Sequence, residues 1–466
     1  MEPKLYPEDT IAAIATPLGR GAIGVIKISG EASLSILKRI FRPKNPKASF
    51  QSHRLHYGFI VDPETEKVID EVMAVYMQKP KTYTKEDVVE IYAHSGSFIL
   101  KKILELVLKA GARPAQPGEF TLRAYLNGRI DLSQAEAIQE LISAKSEKAL
   151  QLSLNVLLGK LSEKINQIKE NLLDLLAQVE SAIDFPEEDL EILSPPLLIE
   201  KISSQIIPEL EKLIKNYQEG KVYKEGISLV IAGKPNVGKS SLMNVLLKEE
   251  RAIVTPIPGT TRDFLEEEAT IEGLPVKLID TAGIRPTEDP VEKIGVERAK
   301  NKFKEADLIL FLLDVSSPPS EEEREIFEEV KPYPHLILLN KIDLKPNYLK
   351  DWEKELANWK INDYLAISVK DGTNLDLLGK KIFEKITGGK EPEIPEVVPN
   401  LRQKVDLEKA IKCLGNALEE LKKPNPLPEI IAIELREAIS ALSEIIGEIT
   451  TEDLLTKIFC TFCIGK

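Results

Sequence analysis

Hydrophobic and polar positions along this chain change rhythm three times. From about Thr10 to Phe120, short strand-like runs (AIGVIKIS, EVMAVYM, DVVEIYA) accompany one helical stretch, FILKKILELVLKAG, which Gly111 ends. A compact α+β domain is expected there. From Ser133 to Ile183 the rhythm is helical: Leu150, Leu154, Leu157, Leu161, Ile165, Ile168, Leu172, Leu175 and Val179 recur at steps of mostly three and four, the seam of long packed helices. The stretch DFPEEDLEILSPP stops it. Between Tyr223 and Gly389, apolar runs (ISLVIAG, VKLIDTAG, ADLILFLLDV, HLILLN, YLAISV) alternate with amphipathic stretches, the pattern of a parallel sheet wrapped by helices. A proline-rich linker, KEPEIPEVVPN, follows, and helical spacing resumes at Leu407, Ile411, Leu414, Leu418 and Leu421. The expected architecture is multidomain α+β and α/β. An α+β domain occupies residues 1–120, an all-α helical domain is split between 121–222 and 390–466, and an inserted P-loop α/β domain fills 223–389.

Length agrees, since 466 residues suit about three domains of ~150 residues. The apolar fraction of 43% and charged fraction of 29% can bury a sizeable core, which argues against wholesale disorder. The net charge of −13 argues against a chain that coats nucleic acid non-specifically. It is unevenly spread: Met1 to Phe120 carry 17 Lys and Arg against 14 Asp and Glu, a net of +3, leaving −16 for the other 346 residues. The first quarter can therefore meet an anion that the rest would repel. The start, MEPKLYPEDT, lacks the order of a signal peptide, and no apolar run reaches the roughly 18 residues that span a bilayer. A cytoplasmic protein without a membrane partner is expected. Three cysteines, Cys413, Cys460 and Cys463, are too few for a disulfide framework.

Candidate chemistry starts where SLVIA leads into Gly233-Lys-Pro-Asn-Val-Gly238-Lys239-Ser240 and a helical stretch follows. Glycines let backbone N–H groups curl around a phosphate at a helix N-terminus, Lys239 meets the β and γ oxygens, and the Ser240 hydroxyl ligates Mg²⁺. Asn236, Val237 and Ser241 complete this loop. Downstream, Asp280, Thr281, Ala282 and Gly283 close the run VKLI, where a carboxylate can hold the metal through water and the Gly283 N–H can sense a γ-phosphate. Asn340-Lys341-Ile-Asp343 ends a later strand. A carboxylate at Asp343 accepts both the N1–H and the amino group of guanine, a pattern adenine does not offer, so the nucleotide is GTP. Ser368, Val369 and Lys370 fit the supporting guanine loop.

Two details narrow the mechanism. Ile284 stands where Ras-like switches carry a Gln that orients the attacking water. Ile cannot hydrogen-bond water, so the orienting group comes from elsewhere; Glu292 is the candidate, with Glu288 and Asp289 as rivals. The second detail is Asn236 together with the tight loop of Thr255, Pro256, Ile257, Pro258, Gly259 and Thr260. An amide oxygen plus loop carbonyls can hold a monovalent cation where other GTPases receive an arginine finger. Thr261 suits the second protein ligand to Mg²⁺.

With these motifs in place, the chain closely resembles the MnmE (TrmE) family, GTPases of tRNA wobble-uridine modification, over essentially all its length. The resemblance rests on ATPLGRGAIGVIKISG, on GEFTLRAYLNGRIDLSQAEA, on the nucleotide motifs with GTTRD, and on the terminal Cys463-Ile464-Gly465-Lys466. It implies an N-terminal folate-binding-like and dimerisation domain, a helical domain and a Ras-like G domain. It also implies potassium held by Asn236, Thr255, Ile257 and Thr260, a catalytic Glu292 and a switch Arg285. Two subunits are expected to form a constitutive dimer and to bring their G domains together across GTP. A tetrahydrofolate derivative, 5-formyl- or 5,10-methylene-, maps onto Lys27, Glu90, Arg129 and Lys466. A partner of the MnmG type, which itself carries the FAD, is expected to complete a heterotetramer that adds a (carboxymethyl)aminomethyl-type group to C5 of uridine 34 of tRNA.

Cys463 is read as a functional thiol and Cys460 as helix-packing filler. The alternative class is a GTPase timer for assembly on ribosomal RNA, which has no need of a folate site or of the terminal C-I-G-K tail.

Overall fold

In β2 (Ile23–Ser29), Gly24, Ile26 and Ile28 are buried while Val25 and Lys27 alternate with them, the period-two pattern of a sheet covered more heavily on one face. The computed structural model describes residues 9–46, 49–184, 194–249, 266–280, 302–344, 348–389 and 395–465. Around β2 it builds a seven-stranded sheet in the order β3 (Phe41–Pro43), β4 (Arg54–Val61), β5 (Val68–Met77), β6 (Val88–His94), β2, β1 (Ile11–Ile14) and β7 (Arg113–Pro114). All pairs are antiparallel except β1 with β7. Helices α1 (Ser33–Ile40) and α2 (Ser97–Lys109) cover one face, where Ile26, Ile28, Leu37, Ala74, Ile91, Leu100 and Ile103 form the core. The other face keeps Leu55, Tyr57 and Met73 exposed at 58%, 45% and 42%, with Tyr57 opposite Met73 and Met73 opposite Tyr92.

The chain divides into two compact units. One comprises Met1–Gln139, Val156–Ile207 and Val405–Lys466; the other comprises Glu140–Asn155 and Pro208–Lys404. In the first, α3 (Glu119–Leu126) follows β7, and the long α6 (Lys160–Asp184) packs along α14 (Pro428–Ile446). Leu161, Ile165, Leu172, Leu175 and Val179 line the buried side of α6, as their spacing predicts. The expected seam shifts before this point. Leu150 is 45% exposed, and α5 (Glu147–Leu157) buries Ala149, Leu152 and Val156 instead. Gly159, with φ 90°, separates α5 from α6, so one rhythm cannot run through both helices.

The second unit holds a six-stranded sheet in the order β13 (Tyr364–Ala366), β12 (His335–Asn340), β11 (Leu308–Asp314), β8 (Ile227–Ala232), β10 (Leu274–Asp280) and β9 (Glu266–Ile271). Every pair is parallel except β9 with β10. Both faces are buried, Leu229, Leu278, Leu310 and Leu338 in one core and Val230, Phe311, Leu339 and Trp352 in the other. That explains the uninterrupted apolar runs. After β8 the chain forms β9 and β10 on one side of it and then β11, β12 and β13 on the other, so the winding reverses at β8, and ligands of such sheets bind beyond the C-terminal ends of the strands at that point.

The architecture is therefore an N-terminal α+β domain, a helical domain from separated segments and a P-loop α/β domain. Among the described residues, no helix is long and apolar enough to cross a membrane.

Candidate functional site

The loop after β8 shows why its two glycines are required. Gly233 has φ 142° and a Cβ there would lie 2.4 Å from the Leu312 carbonyl oxygen; Gly238 has φ 105° and its Cβ would lie 2.5 Å from Asn340 Nδ2. Both dihedrals and both clearances exclude larger residues. Helix α9 (Lys239–Glu249) begins at the end of this loop. The buried Lys239 ammonium donates to the carbonyls of Gly233 (2.8 Å) and Lys234 (2.7 Å), so it lies across the loop. Ser240 and Ser241, in the first turn of α9, are exposed. Asn236 is exposed in a left-handed conformation, φ 65°, and Val237 is buried.

Asn340, at the end of β12 and 2% exposed, binds this loop to the guanine loop. Its Nδ2 donates to the Val237 carbonyl at 2.8 Å and its Oδ1 accepts from the Val369 N–H at 3.2 Å. The Lys341 ammonium donates to the Asn236 carbonyl at 2.8 Å and pairs with Asp314 Oδ2 at 2.5 Å. Ser368, fully buried, donates through its hydroxyl to Asp343 at 2.7 Å and accepts from the Asp371 N–H at 3.1 Å, which fixes the Asp343 carboxylate while leaving it half-buried. Lys370 is exposed. Three sequence-distant motifs, around 236–241, 340–343 and 368–370, thus meet at the carboxyl end of one sheet.

Asp280 closes β10 beside β8, its side chain outside the described residues. Thr255, Pro256, Ile257, Pro258, Gly259, Thr260, Thr261, Thr281, Ala282, Gly283, Arg285, Glu292 and Lys466 also lie outside them.

In the other unit, Lys27 on β2 is the register partner of Glu90 on β6. The Lys27 ammonium lies 5.3 Å from the Tyr83 ring centre and 5.4 Å from that of Phe120, and the Arg129 guanidinium lies 4.6 Å from the same Tyr83 ring. One aromatic side chain therefore gathers both cations. Burial pushes the Tyr83 phenol up, opposed by the Thr121 hydroxyl at 2.9 Å and by Arg129, so it stays protonated. Glu90 accepts from the Tyr92 hydroxyl at 2.6 Å; burial and this carboxylate push the Tyr92 phenol up to about 12.

The C-terminal tail comes to the same sheet. Helix α15 (Glu452–Phe459), capped by the Thr451 hydroxyl, packs Leu455 and Phe459, with Phe462 of the turn that follows, in one cluster with Leu122 of α3. Beyond it the Cys463 carbonyl accepts from the Gly118 N–H at 3.5 Å, and Gly465 lies so close to β1 that a Cβ there would be 2.8 Å from the Ile14 carbonyl oxygen. Cys463 is exposed. So is Cys460, which corrects its reading as packing filler: Phe459 and Phe462 take the inward positions of this last turn.

Charge beneath this region was not anticipated. Arg123, 4% exposed, pairs with Asp9 (2.6 Å), Glu119 (3.0 Å) and Glu86 (3.2 Å), and Arg113 bridges Asp9 and Glu119 at 2.7 Å each. The Arg113 hydrogen bond, with Arg123, holds the Asp9 carboxyl below its usual range. Burial opposes ionisation of Glu119, but the two guanidiniums and the Gln116 N–H still hold it low. Only the Glu-x-x-x-Arg spacing inside GEFTLRA, one helical turn, hinted at it.

Known proteins match along the whole chain. Residues 132–463 match the description "MnmE helical domain" and residues 10–129 match "GTP-binding protein TrmE N-terminus". The "tRNA modification GTPase MnmE" of Alkaliphilus oremlandii (strain OhILAs) is 46% identical over 466 residues, covering 99% of this chain and 100% of that protein. Its namesake from Aquifex aeolicus (strain VF5) is 46% identical over 458 residues, covering 98% and 100%. Among solved structures, a variant of Aquifex aeolicus Era bound to GDP·AlF4⁻ is 30% identical over 43% of this chain and 69% of that one, at a TM-score of 0.30.

Proposed function

The chain belongs to the MnmE family of tRNA modification GTPases, and on that premise we propose that it acts on wobble uridine 34 of tRNA with an FAD-dependent MnmG-type partner. As a member it binds and hydrolyses GTP. The pair would add a (carboxymethyl)aminomethyl group at C5 of that base, the carbon coming from a tetrahydrofolate derivative.

The observation that carries the folate reading is the gathering of Lys27 and Arg129 on Tyr83, with Glu90 across from Lys27 and the tail at β1. Two cations held on one ring favour an anion beside them, as the carboxylates of a folate tail would be, and an acceptor at Glu90 suits the N–H groups of a pterin. When bound, the folate supplies the one-carbon unit. The chain's own residues bind and orient it, with Lys466 as a further cation and Cys463 as a thiol of the tail.

In the G domain, the described motifs favour GTP: Asp343 is fixed by Ser368 for guanine, and Lys239 lies across the phosphate loop. Ser240 and Thr261 would hold Mg²⁺, and Asn236 with Thr255, Ile257 and Thr260 would hold K⁺, ions that would supply positive charge against the phosphate oxygens. Glu292 orients the attacking water, and Arg285 belongs to the same switch. Asp280, Thr281, Ala282 and Gly283 respond to the γ-phosphate, an interaction that discriminates the GTP and GDP states.

The division into 1–120, 121–222, 223–389 and 390–466 assigns folate and dimerisation to the first part, GTP to the third and the coupling between them to the helical parts. The exposed row of Leu55, Tyr57 and Met73 supports a second copy on the open sheet face. We place the assembly, a homodimer joined by the partner into a heterotetramer, in the cytoplasm.

Calorimetric titration of the full chain with 5-formyltetrahydrofolate tests the folate reading. Saturable heat that Arg129→Ala weakens at least tenfold is expected; no heat with the unaltered chain would remove it.

A further inference from the structure

We propose that Asp314, at the end of β11, is a positioning residue for GTP binding, which acts by holding the Lys341 ammonium on the backbone of the phosphate loop.

Asp314 stands opposite Asn340 in the β11–β12 register, so the two strands deliver a carboxylate and the start of the guanine motif side by side. Each oxygen of the carboxylate is committed. Oδ1 accepts from the Ser316 N–H at 2.9 Å and the Ser316 hydroxyl at 2.5 Å, and Oδ2 takes Lys341 at 2.5 Å. Burial disfavours the charge, yet Lys341 and Ser316 hold the Asp314 carboxyl below its usual range. Lys341, bent back by a left-handed φ of 69°, spends a second hydrogen bond on the Asn236 carbonyl.

The consequence lies in the peptide planes. A trans peptide directs its carbonyl and its N–H in opposite directions. Lys341 takes the carbonyl of Asn236 and Asn340 takes that of Val237, so the N–H groups of Val237 and Gly238 are turned away from the guanine motif. Successive N–H groups turned to one side of a loop form an anion-binding concavity. The left-handed Asn236, in a conformation that Asn tolerates better than most residues with a Cβ, is held by the same contact. Without its carboxylate partner, the Lys341 side chain keeps only a carbonyl and regains rotamer freedom, and the Asn236 peptide is no longer fixed.

The proposal rests on the assignment of Lys341 and Asn236 to the nucleotide site, and a double-mutant cycle separates the two claims. GDP and a non-hydrolysable GTP analogue are titrated against the full chain and its Lys341→Ala, Asp314→Ala and doubly substituted forms. Lys341→Ala and Asp314→Ala should each weaken both nucleotides about tenfold, the size expected for a charge-assisted hydrogen bond. The double form should be no weaker than either single form by more than about twofold, because Asp314 acts through Lys341. In turnover the loss should fall on KM for GTP rather than on kcat. Asp314→Asn, which keeps an acceptor of the same shape, should recover part of the affinity and serves where the alanine form does not fold. Effects that multiply to about a hundredfold, or wild-type affinity in Asp314→Ala and Asp314→Asn, would overturn the proposal. Wild-type affinity in Lys341→Ala would instead remove the assignment beneath it.

Discussion

Asn340 shows how much one side chain can carry. It is the first residue of a motif read for guanine, yet in the fold its amide spends itself on Val237 and Val369 and so joins two loops that the sequence shows separately. Local spacing revealed the motif but not this junction, because the partners are 103 and 29 residues away. The Arg123 cluster was hidden for the same reason, with Asp9 and Glu86 far off in sequence. Replacing Arg123 with Met should cost about 1–3 kcal/mol in urea unfolding, since the buried Glu119 loses one of its two guanidinium partners. Asp9 and Glu119 have lowered values in the fold. Their contribution is therefore full above the ordinary values of 3.8 and 4.5 and is lost as pH falls through the lower folded ones. Arg123→Met should flatten that acid dependence. Asn236 offers a test of the cation role: GTP turnover in KCl should exceed that in NaCl, and Asn236→Ala should abolish the difference, whereas equal rates in both salts would remove the potassium reading.

Strongly periodic elements were legible. The strands β2, β5, β6, β8 and β10–β13 and the helices α2 and α6 stand where apolar rhythm put them, because burial on a fixed face forces that rhythm. β9 was not read. Its sequence, EEEATI, carries three Glu on an edge strand, where one side needs no neighbour and charge is tolerated. The seam across α5 and α6 was read in one phase, although Gly159 breaks it. Paired substitutions check the corrected phase. Leu172→Ala, at a fully buried site in α6, should cost about 2–5 kcal/mol. Leu150→Ala, at an exposed site in α5, should stay within about 0.5 kcal/mol. Equal losses in thermal or urea unfolding would restore the single seam.

On the scale of the whole molecule, the charge asymmetry now has an address. The +3 region holds Lys27 and Tyr83, with Arg129 just beyond it, and its Arg113, like the neighbouring Arg123, is largely spent on carboxylates of the same unit. A single chain thus carries a nucleotide fold of its own and a sheet whose cations gather near a C-terminal tail, and the wobble-uridine reading gives both a purpose. Nucleoside analysis of tRNA from a strain lacking this protein tests that reading most directly. Loss of the C5-aminomethyl-type substituent from wobble uridine is expected, with recovery on re-expression of the chain but not of its Arg129→Ala form; unchanged wobble uridines in the deletion strain would contradict it.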